Sequence, residues 1–277
     1  MYQKAYGIIE TLAPLHIGAT AGEESGNLNL IFRDQFTQTG IIPGSSIRGR
    51  LRSEMRRTQG EAEANKWYGH PAQTEQSNST TESLVKLEYA SIVWLPVFCP
   101  GQPIVWVSSP RLLKRYQRLA GSFVPSLQTA KPENLIYKAS ESLKAISVKG
   151  EDKLFFNFGF LSIESKDDLS LWFPFEEELP AVIVNDDEIG MIHDMALYRQ
   201  SRVALEKEEK KAKEKAFFNT EALPEGTILA FPIALKEDKD GKKWQPLNKD
   251  VDNEIYLGGL ESIGFGSCKL IIKGVEV

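Results

Sequence analysis

The sequence contains few residues that bind metals through sulfur or imidazole, with 2 cysteines and 3 histidines among 277 residues. Cys99 and Cys268 lie far apart and lack the paired spacing of a zinc site. Both occur in apolar or glycine-rich segments that are typical of strands. We therefore expect two buried free thiols, as in a protein of the reducing cytoplasm.

Long hydrophobic runs are also missing. No segment approaches the roughly 18 apolar residues that a membrane helix needs, and residues 1–6 begin a strand without the apolar core of a signal peptide. These absences predict a cytoplasmic protein that contacts no membrane. Hydrophobic residues at 42% and charged residues at 26% are ordinary for a globular domain.

The net charge of −5 weighs against a protein that is coated in nucleic acid. A local basic strip can nevertheless bind RNA, because the relevant field acts within a Debye length of about 8 Å. Such a strip lies in residues 41–52, with the sequence IIPGSSIRGRLR. This basic strip is the main reason to expect that the chain binds RNA.

Within this strip, Pro43 and Gly44 should end a short strand, and Ser45 or Ser46 should cap a helix. The spacing of Ile47, Leu51 and Met55 predicts a buried helical stripe. The arginines would then occupy the solvent-facing side. Free N–H groups at a helix start and guanidinium forks both suit phosphate, which predicts contact with an RNA backbone. The predicted RNA-binding residues of this helix are Ser45, Ser46, Arg48, Arg50 and Arg52.

A second glycine cluster spans residues 258–267, with the sequence GGLESIGFGS, and we expect it to lie beside the first. Gly264, Phe265 and Gly266 would bring backbone N–H groups to the same RNA, although a tight turn also requires glycine. Phe265 could stack on a base or pack inward. No Lys-Ser or Lys-Thr follows the glycines, which excludes a nucleotide-binding P-loop.

The remaining pattern mixes strands and helices without a regular βαβ period, which favours an α+β fold in a single domain over residues 1–277. The expected elements are a polar loop insertion at 58–82, a hairpin at 87–107, a helix from Ser109-Pro110 to Leu119, a helix at 133–146, one strand at 154–163 and a helical unit at 186–198. Within the insertion, residues 67–81 are expected to order only against a neighbouring subunit or RNA.

Four motifs in order resemble one known family. Residues 15–18 (LHIG), Arg33-Asp34, the strip 42–52 and the closing Gly258 to Gly266 are similar to the RAMP superfamily. Arg202-Val203 and residues 216–227 resemble the backbone subunit of type III-B CRISPR effectors. The resemblance implies a ferredoxin-like, RRM-type sheet with helices on one side, insertions, and a protruding thumb at about 186–219. It also implies partners: a CRISPR guide RNA, a target single-stranded RNA, further copies of the chain and other effector subunits.

The resemblance further implies site residues. His16 corresponds to a histidine near the target cleavage position, and we expect a site-proximal, non-essential role for it. Arg199, Arg202 and the thumb lysines (Lys210, Lys211, Lys213 and Lys215) could contact the guide–target duplex, or the thumb tip could simply be solvated. The tip, residues 206–215, is expected to be a helix or a flexible segment as readily as a hairpin.

The cleaving members of the family carry an aspartate in the loop before the arginine. That position falls on Asn27 or Leu28 here, with Asn29 beside it, and none is a carboxylate. Glu23, Glu24 and Asp34 are nearby acids that could substitute, and Glu221 matches a family acid near the thumb. The resemblance therefore leaves cleavage open, with a guide-holding subunit favoured.

Four functions follow as hypotheses. The first is a scaffold that binds guide RNA, stacks into a filament and needs no cofactor. The second is a target-RNA endoribonuclease that requires Mg²⁺ or Mn²⁺ and cuts at six-nucleotide intervals. The third is a metal-independent transcript-processing enzyme that uses His16, against which the full-length match to backbone motifs argues. A small-molecule enzyme has no supporting motif.

Overall fold

The computed structural model describes residues 2–18, 28–70, 81–157, 159–175, 177–205, 212–247 and 254–275. Its strands are β1 (Tyr2–Thr11), β2 (Leu28–Asn29), β3 (Ile41–Ile42), β4 (Val85–Leu87), β5 (Ala90–Cys99), β6 (Gln102–Ser108), β7 (Lys138–Ala139), β8 (Ile146–Val148), β9 (Glu151–Phe156), β10 (Gly159–Ile163), β11 (Ser165–Lys166), β12 (Ala181–Ile183), β13 (Tyr198–Leu205), β14 (Ala212–Ala222), β15 (Ile228–Lys236), β16 (Glu254–Tyr256) and β17 (Ser267–Lys273).

The α-helices are α1 (Gly44–Gln59), α2 (Glu61–Tyr68), α3 (Pro110–Ala120), α4 (Pro125–Thr129) and α5 (Ile189–Ala196). Short 3-10 helices occupy Pro132–Leu135, Ser170–Trp172 and Glu261–Ile263. No helix in the described ranges is long and apolar enough to cross a membrane.

A mixed sheet organises the fold and, within the described residues, contains eleven strands. Its main order is β11-β7-β12-β6-β5-β15-β1-β17-β16, with β3 paired to β5 and β4 paired to β15. Strand β1 is central because it pairs antiparallel with both β15 and β17, so that Ile8 faces Ala230 on one side and Ile271 on the other. Two smaller three-stranded sheets, β10-β9-β8 and β13-β14-β2, contain the other described strands.

The sheet buries both of its faces, because successive side chains of a strand point to opposite sides. Ala5 and Ile9 of β1 belong to the core that includes the buried stripe of α1, whereas Tyr6 and Ile8 belong to the core beneath α3 and α4. The expected α+β class with the RAMP fold is confirmed. The expectation of helices on one side only is wrong, since helices cover both faces.

The helix α1 forms as the sequence predicts. Ile47, Leu51 and Met55 are each 0% exposed. The helix continues to Gln59, turns at Gly60 (φ +92°) and leads into α2. The predicted loop insertion at 58–82 is therefore wrong up to Tyr68, because α2 buries Trp67 and Tyr68 and so has an apolar face of its own. Residues 71–80 lie outside the described residues.

Of the secondary structure expected for residues 87–163, two elements are confirmed and two are wrong. The hairpin at 87–107 and the helix after Ser109 are confirmed as β5–β6 and α3. The helix expected at 133–146 is wrong: a 3-10 turn at Pro132–Leu135 is followed by β7, which pairs with β11 and β12. The single strand expected at 154–163 is two antiparallel strands, β9 and β10.

The thumb region begins with α5 and continues as the β13–β14 hairpin. Arg199 of β13 lies opposite Glu221 of β14, and Ser201 lies opposite Asn219. A hairpin is thus the alternative that the chain adopts, and the charged run is strand from Ala212 onward. Residues 206–211, with Lys210 and Lys211, lie outside the described residues. Both cysteines are free and buried, as expected.

Candidate nucleic-acid interface

A groove of about 460 Å³ lies between the start of α1 and the glycine loop after β16. The sequence strip and the second glycine cluster therefore do meet. The groove is lined by Ile17, Gly18, Ser45, Ser46, Gly49, Arg50, Ser53, Tyr256, Leu257, Gly258, Gly259 and Glu261. Most of these residues are small or polar, so backbone and hydroxyl groups form its walls.

The start of α1 is open to this groove. Pro43 is the N-cap residue, and no side chain caps the helix. The expectation that Ser45 or Ser46 is the cap is wrong, because the helix already begins at Gly44 and both serines lie in its first turn. No acidic side chain occupies that turn, so the positive end of the helix dipole faces the groove, and the acid of the groove lining is Glu261 in the glycine loop.

The arginines of α1 divide into two groups. Arg50 lines the groove, pairs with Glu54 at 3.5 Å and has a buried Nε without a partner among the described residues. Arg48 and Arg52 turn toward α2, where Arg48 donates to the carbonyl oxygen of Tyr68 and Arg52 donates to Asn65 Oδ1 at 2.8 Å. The predicted solvent-facing position of Arg48 and Arg52 is wrong, because α2 packs alongside α1.

Burial and neighbouring positive charges act on Arg52. Desolvation, followed by the charges of Arg56 and Arg48, lowers the pKa of the Arg52 guanidinium. The acceptors of Arg48 and Arg52 are neutral oxygens, so these hydrogen bonds leave the charges of the arginines in place, and the nearby charge of Glu61 partly opposes the lowering of the Arg52 pKa.

The glycine loop requires glycine at the position where its backbone lies closest to His16 and Ile17. Gly258 has φ +76°, and a Cβ there would overlap the carbonyl oxygen of His16 and lie 2.9 Å from Ile17 Cδ1. Gly259 donates its N–H to that same oxygen at 3.0 Å and forms an antiparallel bridge with His16. These two glycines line the groove. The sequence marked them only as the start of the cluster.

The later glycines of the cluster serve the turn instead. The N–H of Gly264 donates to Glu261 O at 3.0 Å, and the N–H of Gly266 donates to Pro14 O at 2.9 Å. Phe265 is buried and packs edge-on against Tyr198, with ring centroids 5.8 Å apart. The predicted contact of Gly264, Phe265 and Gly266 with RNA stays a prediction, but it would not use their N–H groups or the ring as they stand, because these are engaged within the chain.

His16 lies beneath the glycine loop and is 8% exposed. Its Nδ1 lies 2.6 Å from the carbonyl oxygen of Glu221. Because a carbonyl oxygen only accepts, Nδ1 donates a proton in this hydrogen bond. A Cβ at Gly18 would lie 3.2 Å from Nε2, so this nitrogen faces the segment at Gly18 that lines the groove.

Four charged side chains form a network at the base of the β13–β14 hairpin. Arg33 donates to Asp194 at 3.0 Å and to Glu221 at 3.1 Å, and Arg199 contacts the same two carboxylates at 3.1 Å. Glu221 is buried, with its side chain 4% exposed. The sequence analysis singled out Arg33 only as part of a family motif and did not single out Asp194, because the pairing of Arg33 with these acids is long-range and no local spacing reveals it.

The carboxylate of Asp34 is hydrogen-bonded within the turn that follows it. Its Oδ1 accepts hydrogen bonds from the N–H groups of Phe36 and Thr37 and from the Thr37 hydroxyl, at 2.8 to 3.1 Å. Desolvation opposes ionisation of Asp34, but the hydrogen bonds from Thr37 and Phe36 outweigh it and lower the pKa of this carboxyl. The side chain stabilises the turn.

The described carboxylates do not fit a divalent cation. Glu221 is neutralised by two arginines, and Asp34 accepts three hydrogen bonds from its turn. Within the described ranges no three His, Cys, Asp or Glu side chains converge on one point. Glu23, Glu24 and Asn27 lie outside the described residues, and so does the side chain of Leu28. The neighbouring Asn29 is half-buried in β2, which pairs with β14.

Arg202 lies farther out on the hairpin. It is half-buried, and its guanidinium lies 5.8 Å from the ring centroid of Phe218 on the facing strand. Arg199 and Arg202, both predicted to contact the duplex, thus have partners within the hairpin or at its base.

A family model places these features in a known group. The model of the RAMP superfamily matches residues 8–269. The chain belongs to the RAMP superfamily. No curated protein matches the sequence significantly.

Solved structures of this RAMP fold cover almost the whole chain. The apo state of a type III-B Cmr-beta complex contains a chain with a TM-score of 0.72 and 20% identity, covering 99% of both chains. A Cmr-beta complex bound to cognate target RNA gives a TM-score of 0.70 and 20% identity, over 97% of this chain and 96% of that one. Oligomeric Cmr4 from Pyrococcus furiosus gives 0.69 and 23%, covering 99% and 100%. At these identities the similarity establishes the fold.

Proposed function

We propose that this RAMP protein is a guide-RNA-binding backbone subunit of a type III CRISPR effector complex. Copies of the chain stack along the guide with other effector subunits and present it for pairing with a target RNA. The groove between α1 and the glycine loop carries the proposal, because it joins an uncapped helix start, hydroxyl groups and Arg50 on one surface. Such a surface suits a row of phosphates.

The chemistry of the groove supports binding without sequence preference. Ser45, Ser46 and backbone N–H groups recognise phosphate and sugar, which carry no sequence information. Delegating sequence recognition to base pairing between guide and target removes the need for base-specific side chains. This binding needs no metal, because the positive charge comes from arginine and the helix dipole.

The similarity to solved structures supports the proposal that copies of the chain assemble on RNA. Chains of the same fold occur in a Cmr-beta complex with target RNA and in an oligomeric Cmr4. A holding role is favoured over target cleavage, because Glu221 and Asp34 are engaged within the chain. Cleavage would then draw on other acids, of which Glu23 and Glu24 lie outside the described residues.

The test measures binding of labelled single-stranded RNA by fluorescence anisotropy at several salt concentrations. Arg50→Ala should weaken binding about tenfold and reduce the magnitude of the log–log salt slope by about 0.7, the value for one lost phosphate contact. Arg57→Ala is the matched control, because Arg57 lies on the same helix and pairs with the same Glu54 but does not line the groove. It should bind within twofold of the unmodified protein.

Stacking is tested by sedimentation of the protein on RNAs of increasing length. The bound mass should increase in steps of one 31.1 kDa chain as the RNA lengthens. A protein that binds no single-stranded RNA at low salt, or that loses as much affinity in Arg57→Ala as in Arg50→Ala, would contradict the proposed function.

A further inference from the structure

A second groove, of about 1120 Å³, lies beside α3 and shares no lining residue with the groove at α1. Its walls are the exposed face of α3, the turn at residues 34–37 and the segment that follows α3. Tyr89 and Ser91 lie at its base. Because α3 packs on the face of the sheet opposite α1, this groove is a separate surface.

A row of positive charge follows one side of this groove. Arg111, Lys114 and Arg118 are exposed and spaced three and four residues apart, so they form one stripe about 10 Å long. No carboxylate pairs with them among the described residues. The chain as a whole has a net charge of −5, so three positive side chains that lie side by side, unpaired within the described part of the chain, stand out as a local site of positive charge.

Arg115 continues the stripe at the base of the groove and is fixed in place. It donates to Ser91 Oγ at 2.8 Å and to Tyr89 O at 3.2 Å, and its guanidinium lies 4.0 Å from the centroid of the Tyr89 ring. Glu88 is 4.0 Å away, at the limit of an ion pair.

The acids of the groove are largely engaged. Asp34 accepts hydrogen bonds from its turn, and Asp186 accepts the N–H of Arg111 at 2.9 Å at the start of α3. Glu133 is the remaining acid of the lining, and it is exposed. The lining therefore holds four cations, Arg111, Lys114, Arg115 and Arg118, against three carboxylates, which leaves a small excess of positive charge.

An aromatic side chain stands at the rim of the groove. Phe36 is 80% exposed, yet it lies on a rigid turn: Asp34 Oδ1 binds the N–H groups of Phe36 and Thr37, and Gln38 N donates to Asp34 O at 2.9 Å. A rigid turn that holds a phenyl ring in water beside a row of cations has the two components of a single-strand site: a stacking platform and phosphate contacts.

We propose that this groove is a second binding surface for single-stranded RNA, in which Arg111, Lys114 and Arg118 contact phosphates and Phe36 stacks on a base. The ligand class rests on the proposed function, but the site does not use the groove at α1. Sequence preference is not expected, because every base has a face that can stack and phosphates are uniform.

The test compares two triple variants with the same change in net charge. Arg111→Ala/Lys114→Ala/Arg118→Ala removes the stripe, and Lys4→Ala/Lys149→Ala/Lys239→Ala removes three exposed lysines from dispersed positions. Loss of three phosphate contacts should reduce the magnitude of the RNA salt slope by about 2, and the dispersed variant should change it by much less. Equal effects of the two variants would overturn the proposal.

Phe36 is tested separately, because its contribution is stacking and not charge. Phe36→Ala should weaken binding roughly fivefold or more, Phe36→Trp should retain it, and Phe36→Leu should behave like the alanine variant. Photocrosslinking of 4-thiouridine RNA should label the segment that contains Phe36 and lose that label in Phe36→Ala. If leucine substitutes fully for phenylalanine, Phe36 does not stack on a base.

The outcomes separate this site from the proposed function. A protein that binds no RNA removes both proposals. Loss of binding in Arg50→Ala together with unchanged binding in the stripe variant overturns the second site alone. If the stripe variant binds short RNA normally but no longer stacks on long RNA in sedimentation, the groove is an interface between copies, which also overturns the proposal.

Discussion

At the residue scale, Arg33, Asp194, Arg199 and Glu221 join the turn that precedes α1, helix α5 and both strands of the β13–β14 hairpin. Two positive and two negative charges balance each other in this network. Glu221 is its buried member, so its carboxylate depends on both arginines, whereas Asp194 is 50% exposed and also hydrated. The two acids should therefore contribute very differently to stability.

We predict that Glu221→Gln lowers the free energy of unfolding by about 2 kcal/mol, because it leaves two partly buried guanidinium groups without their buried partner. Asp194→Asn should cost less than about 1 kcal/mol, since an exposed carboxylate contributes little. Urea unfolding of the two variants measures the difference. Equal losses would mean that burial of Glu221 does not set the strength of the network.

His193 adds a pH dependence beside the same network. Its Nε2 accepts the N–H of Gly40 at 2.9 Å, so Nδ1 carries the proton, and within the described part of the chain Nδ1 has no hydrogen-bond partner. Burial and, after it, the charge of Arg33 lower the pKa of His193 to about 3, against the partial opposition of Asp194. The folded protein therefore holds this ring neutral.

We predict that the stability contributed by neutral His193 is complete above pH 6.5 and is lost as the pH falls toward 3, because the unfolded chain takes up the proton first. The slope approaches about 1.4 kcal/mol per pH unit. Urea unfolding between pH 7 and pH 5 measures it, an interval in which most carboxylates stay ionised. His193→Gln, whose amide oxygen can accept from Gly40, should flatten the slope; an unchanged slope would contradict the assignment.

At the element scale, the glycine loop provides a matched pair of positions. We predict that Gly258→Ala destabilises the protein by about 2 kcal/mol or more, because Cβ would overlap His16 O in a backbone conformation that L-residues rarely adopt. Gly259→Ala should be nearly neutral, since nothing lies within 4 Å of its Cβ position. Thermal unfolding measures both, and the same order of stability should appear in the absence of RNA.

The sequence predicted elements where the signal is local. The four-residue spacing of Ile47, Leu51 and Met55 identified α1 and its buried stripe, because periodicity reports which face is covered. It did not predict α2, whose polar residues mask an apolar face formed by Trp67 and Tyr68. The directions of Arg48 and Arg52 depend on α2, and they were therefore wrong as well.

The candidate site was predictable in outline for the same reason. Glycine clusters and the arginine strip are visible in the sequence, and the structure brings their first residues together in one groove. Which glycine N–H groups are occupied depends on long-range partners such as Pro14 and His16. The role of Glu221 depends on Arg33, which is distant in sequence, so no local pattern contains this pair.

At the scale of the whole molecule, the proposed function raises the question of which acid a target-cutting complex would need. We predict that any Mg²⁺- or Mn²⁺-dependent cutting does not require the carboxylate of Asp34, because that group stabilises a turn. Asp34→Asn should leave the cleavage pattern of guide-loaded complexes unchanged, measured on labelled target RNA. Glu24→Ala provides the comparison, and loss of cutting in Asp34→Asn alone would contradict the prediction.

The central position of β1 also shapes how the chain reaches its fold. Its hydrogen-bonding neighbours, β15 and β17, begin at Ile228 and Ser267, so both edges of this strand stay unpaired until most of the polypeptide has been synthesised. Contacts that span so much of the chain slow folding and expose strand edges in the meantime. Newly made chains should therefore depend on chaperones during translation, and the sheet should close only as a late, cooperative step.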